Sequence, residues 1–276
     1  MNDLTTSTVD DVAGLRAVAD FLADVWQMPR AAPPFHTDVL HSVAHAGGAV
    51  HAARSGGAVV GASVAVFGPP AERDIYSLAA AAATSDRGTG YLVKQAQRTW
   101  ALERGARTMR WTFDPLVARN ARFNLVKLGA VASEYQVDFY GPMDDGINNG
   151  DETDRLTALW DLTADAPAVG DPAEGRAEAA VLAKAPDGGP LAARDANRLW
   201  CRVPEDIVAL RATDPDTALR WRHAVREVFT SAYAEGLRAT AMSRDGWYLL
   251  TLPQALGSAR AGETPSSAST AQEDQA

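Results

Sequence analysis

A short glycine-bearing segment, Arg87-Gly88-Thr89-Gly90, separates a long apolar run from an amphipathic stretch that stops at Gly105. The spacing on either side reads as a strand feeding a helix, so the segment is a strand-to-helix turn. Such a turn leaves the first amide groups of the helix without intrahelical partners, and the helix dipole adds partial positive charge there. Gly88 and Gly90 carry no side chain, so a phosphate can come close to the backbone. The segment lacks the Gly-Lys-Ser/Thr ending of a P-loop and is not a full Gly-x-Gly-x-x-Gly fingerprint. Two readings follow from the residues alone: a diphosphate-bearing ligand held by main chain, or a turn that simply joins two elements.

The 276 residues suffice for one large domain or two small ones. There is no run of eighteen apolar residues, so no membrane span is expected. The first eleven residues are polar and lack a basic region followed by an apolar stretch, which argues against a secretory signal. A net charge of −9 disfavours sequence-independent nucleic-acid binding, which relies on Lys and Arg. With Cys201 as the one cysteine, neither an intramolecular disulfide nor a cysteine-based zinc site is available, and a cytoplasmic location is the expectation. Cys201 itself reads as a small strand residue rather than a nucleophile.

Along the chain, residues 5–9 read as a strand and Asp10 or Asp11 as the cap of a helix ended by Pro29. Thr37 caps a second helix to Ala46. Ser55-Gly56-Gly57 marks a hairpin between residues 49–54 and 58–67, and the alanine-rich residues 74–83 form the next strand. Residues 91–104 are helical, with Leu92, Ala96, Trp100 and Glu103 on one spacing. Residues 108–113, 131–140 and 155–162 are strands, and 121–128 a short helix. Residues 141–154, rich in Gly, Asn and Asp, form a long loop of the kind that often carries function. Residues 163–195 shift to Ala, Pro, Gly and Asp and read as a linker with little fixed structure. Beyond it lie a strand (199–203), a helix (214–235, capped by Asp214 with Pro215 at its first turn) and two strands (237–242, 247–252). The tail is expected to be disordered, and there is no internal repeat of short period.

This order, with Arg87-Gly88-Thr89-Gly90 between its fourth strand and its third helix, resembles the GCN5-related N-acetyltransferase (GNAT) superfamily. Residues 111–116 (Trp-Thr-Phe-Asp-Pro-Leu) and 119–130, from Arg119-Asn120-Ala121 to Gly129-Ala130, closely resemble a subgroup of GNAT acyltransferases with a C-terminal extension. Phe139-Tyr140-Gly141, Asp145-Gly146, Asn148 and Asp214-Pro215 also fit its pattern. The resemblance covers residues 1–163 and 197–252. It implies an α/β (α+β) fold: a mixed, mostly antiparallel sheet flanked by helices, plus a small C-terminal α/β extension. The division implied is a GNAT-like acyl-CoA-binding domain at 1–163, a flexible linker at 164–196, an extension packed on the first domain at 197–252, and a tail at 253–276.

The resemblance further implies acetyl-CoA or another acyl-CoA as co-substrate and no metal. The pyrophosphate would rest on the amides of Arg87, Gly88, Thr89, Gly90 and Tyr91. The pantetheine arm would lie along the fourth strand like an added strand, with a main-chain N–H near Leu78 and Ala80 polarising the thioester carbonyl. Asn120 is a further cofactor contact, although as a residue it is an ordinary helix cap. Three positions depart from the family's pattern: Ser85 precedes the loop where Arg or Gln is usual, Asp74 and Tyr76 replace a histidine pair, and Leu125 replaces a tyrosine that protonates the leaving thiolate.

Tyr140, ending a strand beside the long loop, is therefore the first candidate for a general acid or acceptor contact, with an exposed edge aromatic as the alternative. Asn124 is a second catalytic candidate or a solvated helix amide. Asp145 and Asn148 are substrate-binding candidates, or turn formers. Asp114 reads as a turn residue. His41 and His45, four apart, lack a third ligand for zinc. Trp100 and Trp221 read as core anchors, and Arg220, Arg222 and Arg226 as a carboxylate clamp or a solvated helix face. Two functions compete: an N-acyltransferase moving an acetyl or succinyl-type group to a small amine or amino acid, and a catalytically impaired binding or regulatory protein that keeps the CoA pocket. The expected partner is a small-molecule amine, with no nucleic acid and no membrane. The apolar stripe of the last helix needs burial against the sheet or a second copy, which leaves a homodimer open.

Overall fold

The computed structural model describes residues 4–83, 88–141, 143, 145–148, 150–164 and 170–253. Ser85 and Arg87 of the glycine segment lie outside the described residues, as does the tail after Pro253.

Among the described residues, twelve strands form one sheet. β1 (Leu4–Thr8) leads through α1 (Val12–Val25) and α2 (Thr37–His45) to β2 (Ala49–Ser55), β3 (Ala58–Phe67) and β4 (Asp74–Ala82). α3 (Thr89–Glu103) crosses to β5 (Thr108–Phe113), and α4 (Ala118–Arg122) continues as a π-helical turn (Phe123–Lys127) to β6 (Val131–Gln136) and β7 (Arg155–Asp161). Then come β8 (Ala180–Lys184), β9 (Pro190–Arg194), β10 (Arg198–Arg202), α5 (Ile207–Thr213), α6 (Pro215–Ala234), β11 (Arg238–Met242) and β12 (Trp247–Thr251). The sheet order is β1-β2-β3-β4-β5-β7-β6-β11-β12-β10-β9-β8. Every pair is antiparallel except β4 with β5. The mixed, mostly antiparallel sheet flanked by helices is the architecture implied by the resemblance.

Local sequence explains the elements that position the cleft. Asp11 caps α1 by accepting the Gly14 amide, and α1 buries Leu15, Val18 and Leu22 against β2 and β3. α2 begins at Thr37 itself, with His36 in the cap position. The opposite face carries the larger apolar cluster, where Trp100, Trp111, Phe113, Leu125, Trp221, Phe229 and Tyr248 pack under α3, α4 and α6.

Three expectations need correction. The strand expected to run to Tyr140 ends at Gln136, because the chain turns through Asp138 at φ +46°, and Tyr140 lies in that turn. The segment expected to be an unstructured linker contains β8 and β9. β8 is an exposed edge strand with register shifts, so it shows no apolar alternation in sequence. α5 was not expected, although Asp206 caps it through the Ala209 amide.

The C-terminal part extends the sheet with a topological repeat. β5-α4-β6-β7 places its last strand between the first two, and β10-α5-α6-β11-β12 does the same. The two units meet where β6 pairs antiparallel with β11, at Ala132–Ala239. α6 packs back onto β6, burying Tyr135 against Phe229.

Candidate functional site

The parallel pairing of β4 with β5 lasts for three positions, Asp74–Thr108, Ile75–Met109 and Tyr76–Arg110. β4 then continues to Ala82 beside β3 but without β5. A cleft therefore opens after Tyr76, and one edge of residues 77–82 has no strand partner among the described residues. At the opening β4 bulges: its register against β3 passes from Ala65–Ser77 to Val64–Ala79, so Leu78 is the extra residue. A bulge interrupts the ladder and re-aims the backbone groups around it. Leu78 and Ala80, the sequence candidates for a main-chain donor, therefore sit at and just beyond the opening, with Leu78 exposed.

The N-terminus of α3 faces this stretch of β4. Gly88 is its cap residue, at φ +73° and with no side-chain capping bond. A Cβ at Gly88 would meet no heavy atom of the described residues within 4 Å, so those residues leave the approach to the helix end open. A Cβ at Gly90 would lie 3.9 Å from both Ala82 and Phe123, which locates the helix start between β4 and the π-helical turn. Thr89 is buried, with its methyl group under Gly61 of β3, so only its main chain can serve a ligand. Tyr91 is partly exposed, and the Lys127 ammonium lies 5.0 Å from its ring centre. Asn120 is exposed within α4 rather than at its cap, which is Val117. Asn124 is buried in the π-helical turn, and its carbonyl accepts the Ala130 amide.

Alternation gives the cleft two chemically different sides. On the face away from α3, Tyr76 of β4 belongs to the last strand pair and Thr112 of β5 lies just beyond it. The Thr112 and Tyr140 hydroxyls are 2.9 Å apart, and the Tyr76 phenol bonds within the same group. Burial raises the Tyr76 phenol, and the neighbouring Tyr140 raises it further, so it stays neutral. Tyr140 is about half exposed, with Phe139 edge-on and the Arg155 guanidinium 5.2 Å from its ring centre.

On the α3 face, the Lys94 amine donates to Ser77 Oγ at 3.0 Å and lies 3.8 Å from the Trp111 ring centre. Ser77 Oγ donates to Gln97 Oε1, and Gln97 Nε2 is buried without a partner among the described residues. Burial pushes the Lys94 amine down to about 7. Sequence reasoning passed over Lys94 and Gln97 because it ran the buried stripe of α3 through Leu92 and Ala96. The buried stripe instead holds Thr89, Val93, Lys94, Gln97, Trp100 and Ala101, and Leu92 is exposed.

Described residues of the loop after β6 bond to one another. Asp145 accepts the amides of Ile147 and Asn148 and the Asn148 side-chain amide, and Asn148 Oδ1 accepts from Arg155. Both candidates are buried and shape the loop with their side chains. Asp114 does form a turn, through the Leu116 amide, but it also joins a buried charge network. Asp114 and Asp151 are both bridged by Arg211 and Arg222 at 2.5–3.1 Å. Burial opposes ionisation of Asp114, yet Arg222 and Arg211 hold its carboxyl well below the usual carboxylate range. Arg222 is thus fully buried, neither a solvated face nor a free clamp. Arg226 grips Asp154 and Glu152.

Among the described residues there is no group of three or more His, Cys, Asp or Glu that could hold a metal ion. No described helix is long and apolar enough to cross a membrane. A depression of about 520 Å³ lined by Arg122, Val126, Asp171, Met242 and Arg244 contains none of the candidate residues.

No protein-family model matches the chain, and no curated protein matches it. Solved structures do resemble it. An N-acetyltransferase from Staphylococcus aureus Mu50 is 14% identical, with a TM-score of 0.46 over 58% of this chain and 99% of its own. The Salmonella typhimurium protein yncA, solved with its cofactor acetyl-CoA, is 15% identical, with a TM-score of 0.48 over 61% of this chain and all of its own. The Escherichia coli ribosomal-protein-S18-alanine N-acetyltransferase is 12% identical, with a TM-score of 0.46 over 60% and 99%.

Proposed function

We propose that the chain is an acyl-CoA-dependent N-acyltransferase that moves an acetyl or succinyl-type group to a small amine or amino acid. The observation that carries this reading is the early departure of β4 from β5, with a bulge at Leu78 and an open helix N-terminus alongside. An unpartnered strand edge suits an arm rich in amide groups, which can bond to it as an added strand would. The amides following Gly88 suit a pyrophosphate. The unpaired Gln97 donor suits an additional acceptor atom in the cleft, so the residues present fit the group.

When bound, acyl-CoA would supply an activated carbonyl on a good leaving group. The main chain at Leu78 and Ala80 would orient and polarise that carbonyl. The acceptor would enter from the face of Tyr76, Thr112 and Tyr140, where Tyr140 contacts the amine and the linked hydroxyls carry its proton toward water. The loop carrying Asp145 and Asn148 would form the outer wall of this entrance.

Acetyl-CoA, succinyl-CoA and free CoA should raise the thermal midpoint, because binding to the folded state adds stability. CoA thiol release should then depend on an added amine. Gly88→Trp should remove the midpoint shift by filling the approach to the helix end. Retention of CoA without turnover for any amine would turn the reading into that of a binding protein, and a full shift in Gly88→Trp would refute the loop assignment.

A further inference from the structure

Lys94 stands where the cleft begins. Its amine touches Ser77 and Trp111, the first residues of β4 and β5 beyond the last strand pair, Tyr76–Arg110. It is 3% exposed. The groups facing it are Ser77 from β4, Met109 and Trp111 from β5 and, through Ser77, Gln97 of its own helix. None of these carries a charge. Helix packing does not require a lysine here, since a leucine or methionine would fill the position without burying an amine. The amine instead places a proton donor on the helix side of the opening, opposite the hydroxyl group of Tyr76, Thr112 and Tyr140.

We propose that Lys94 receives and protonates the sulfur that leaves the acyl thioester. The proposal rests on the acyl-CoA reading above and adds a catalytic residue to it. In the transfer, the acceptor nitrogen forms a bond to the acyl carbon and the carbon–sulfur bond breaks with its electron pair on sulfur. The sulfur takes a proton from the Lys94 ammonium. The acceptor nitrogen gives up its own proton to water by way of the hydroxyl side, and Lys94 regains one from water. The products are one amide and one thiol. An amine titrating near neutrality is suited to giving and regaining a proton under the same conditions.

The test uses free CoA as probe and needs no acceptor. The ultraviolet absorbance of the thiolate is followed against pH with CoA bound to the wild-type protein and to Lys94→Met, binding being established by the thermal midpoint. In the wild type the bound thiol should ionise at lower pH than in the variant, with about tenfold more thiolate at equal pH wherever Lys94 is protonated, the scale of one pKa unit. Lys94→Gln, which keeps a polar contact to Ser77, should behave as Lys94→Met does and serves if methionine is not tolerated. With hydroxylamine as a generic amine and acetyl-CoA as donor, thiol release should fall about a hundredfold or more in both variants. If CoA binds all three proteins and its thiol ionises alike in each, Lys94 is not the sulfur's partner while the acyl-CoA reading stands. If CoA does not bind the wild type, both fall.

Discussion

In the unit built from β5, α4, β6 and β7, the first strand meets its outer neighbour, parallel β4, for three residue pairs and then loses it. In the unit built from β10, α5, α6, β11 and β12, the outer neighbour of the first strand is antiparallel β9, also paired at three positions, Leu199–Arg194, Trp200–Ala193 and Cys201–Ala192, but held at both ends, where the Asp195 amide donates to the Arg198 carbonyl and Arg202 Nε to the Pro190 carbonyl. The difference follows from the connections. β4 reaches β5 through a whole helix, α3, so the two strands run side by side and are free to diverge at their far ends. β9 reaches β10 through a tight turn in which Asp195 accepts the amides of Asn197 and Arg198, and a hairpin of that kind holds its strands together. The same topological unit thus supports a cleft in one place and a sealed sheet in the other. Among the described residues, the glycine-capped helix end, the bulge at Leu78 and the buried Lys94 amine lie together at the mouth of the open copy.

The largest effect tests how the two units are joined. Arg222 of the sealed unit is buried between Asp114, at the end of β5, and Asp151 of the loop beside Tyr140. Arg222→Met should cost about 3–5 kcal/mol, because it leaves buried carboxylates short of a cation. Denaturant unfolding measures it, and a loss below about 1 kcal/mol would show that the network does not join the halves.

A second effect belongs to the open half alone. His51 of β2 is buried beside Ser63 and edge-on to Trp100. Burial, aided by the charge of Arg104, lowers it from 6.5 to about 4. Between those values the unfolded chain binds the proton and the folded chain does not, so stability falls as pH drops through that window. The loss should approach about 3 kcal/mol in acid. His51→Gln should flatten this part of the stability–pH curve, and an unchanged curve would remove His51 as its cause.

Tyr140→Phe should lower amine-dependent thiol release about tenfold while leaving the CoA-induced midpoint shift intact. An unchanged rate would take Tyr140 out of the chemistry. The smallest effect is a control in the sealed half: Asp206→Ala removes the cap of α5, should cost about 1 kcal/mol of stability, and should leave acyl-CoA binding unchanged. Impaired binding in that variant would mean that the sealed unit contributes to the cleft.

Much of the open half was legible in the sequence. Its elements carry strong local signals, namely the Asp11 cap, the Ser55-Gly56-Gly57 turn and the glycine segment before α3. In the sealed half β10, α6, β11 and β12 were legible too, whereas β8, β9 and α5 were not, β8 being an exposed edge without apolar alternation. The mirrored arrangement of the units is a property of strand order, which leaves no repeat in the residues. In the candidate cleft the main-chain positions Leu78, Gly88 and Gly90 and the Tyr140 side chain stood out in the sequence, whereas the side chains on the α3 face did not. Lys94 and Gln97 occupy buried positions of α3 where apolar residues are expected, so a reading based on apolar spacing moved the stripe past them. Sequence rules fail most informatively where a site overrides them. Arg222 was misplaced for the same reason: an arginine on a helix is ordinarily solvated, and its carboxylate partners lie about seventy and a hundred positions away in the chain.

Amide hydrogen exchange with and without acetyl-CoA tests the central claim most directly, because it reads both halves in one experiment. The account predicts slower exchange on binding in residues 77–82 of β4 and 88–91 of α3, with no change in β10 (Arg198–Arg202). Protection spread equally over both units, or absent from β4 and α3 while acetyl-CoA is bound, would contradict it.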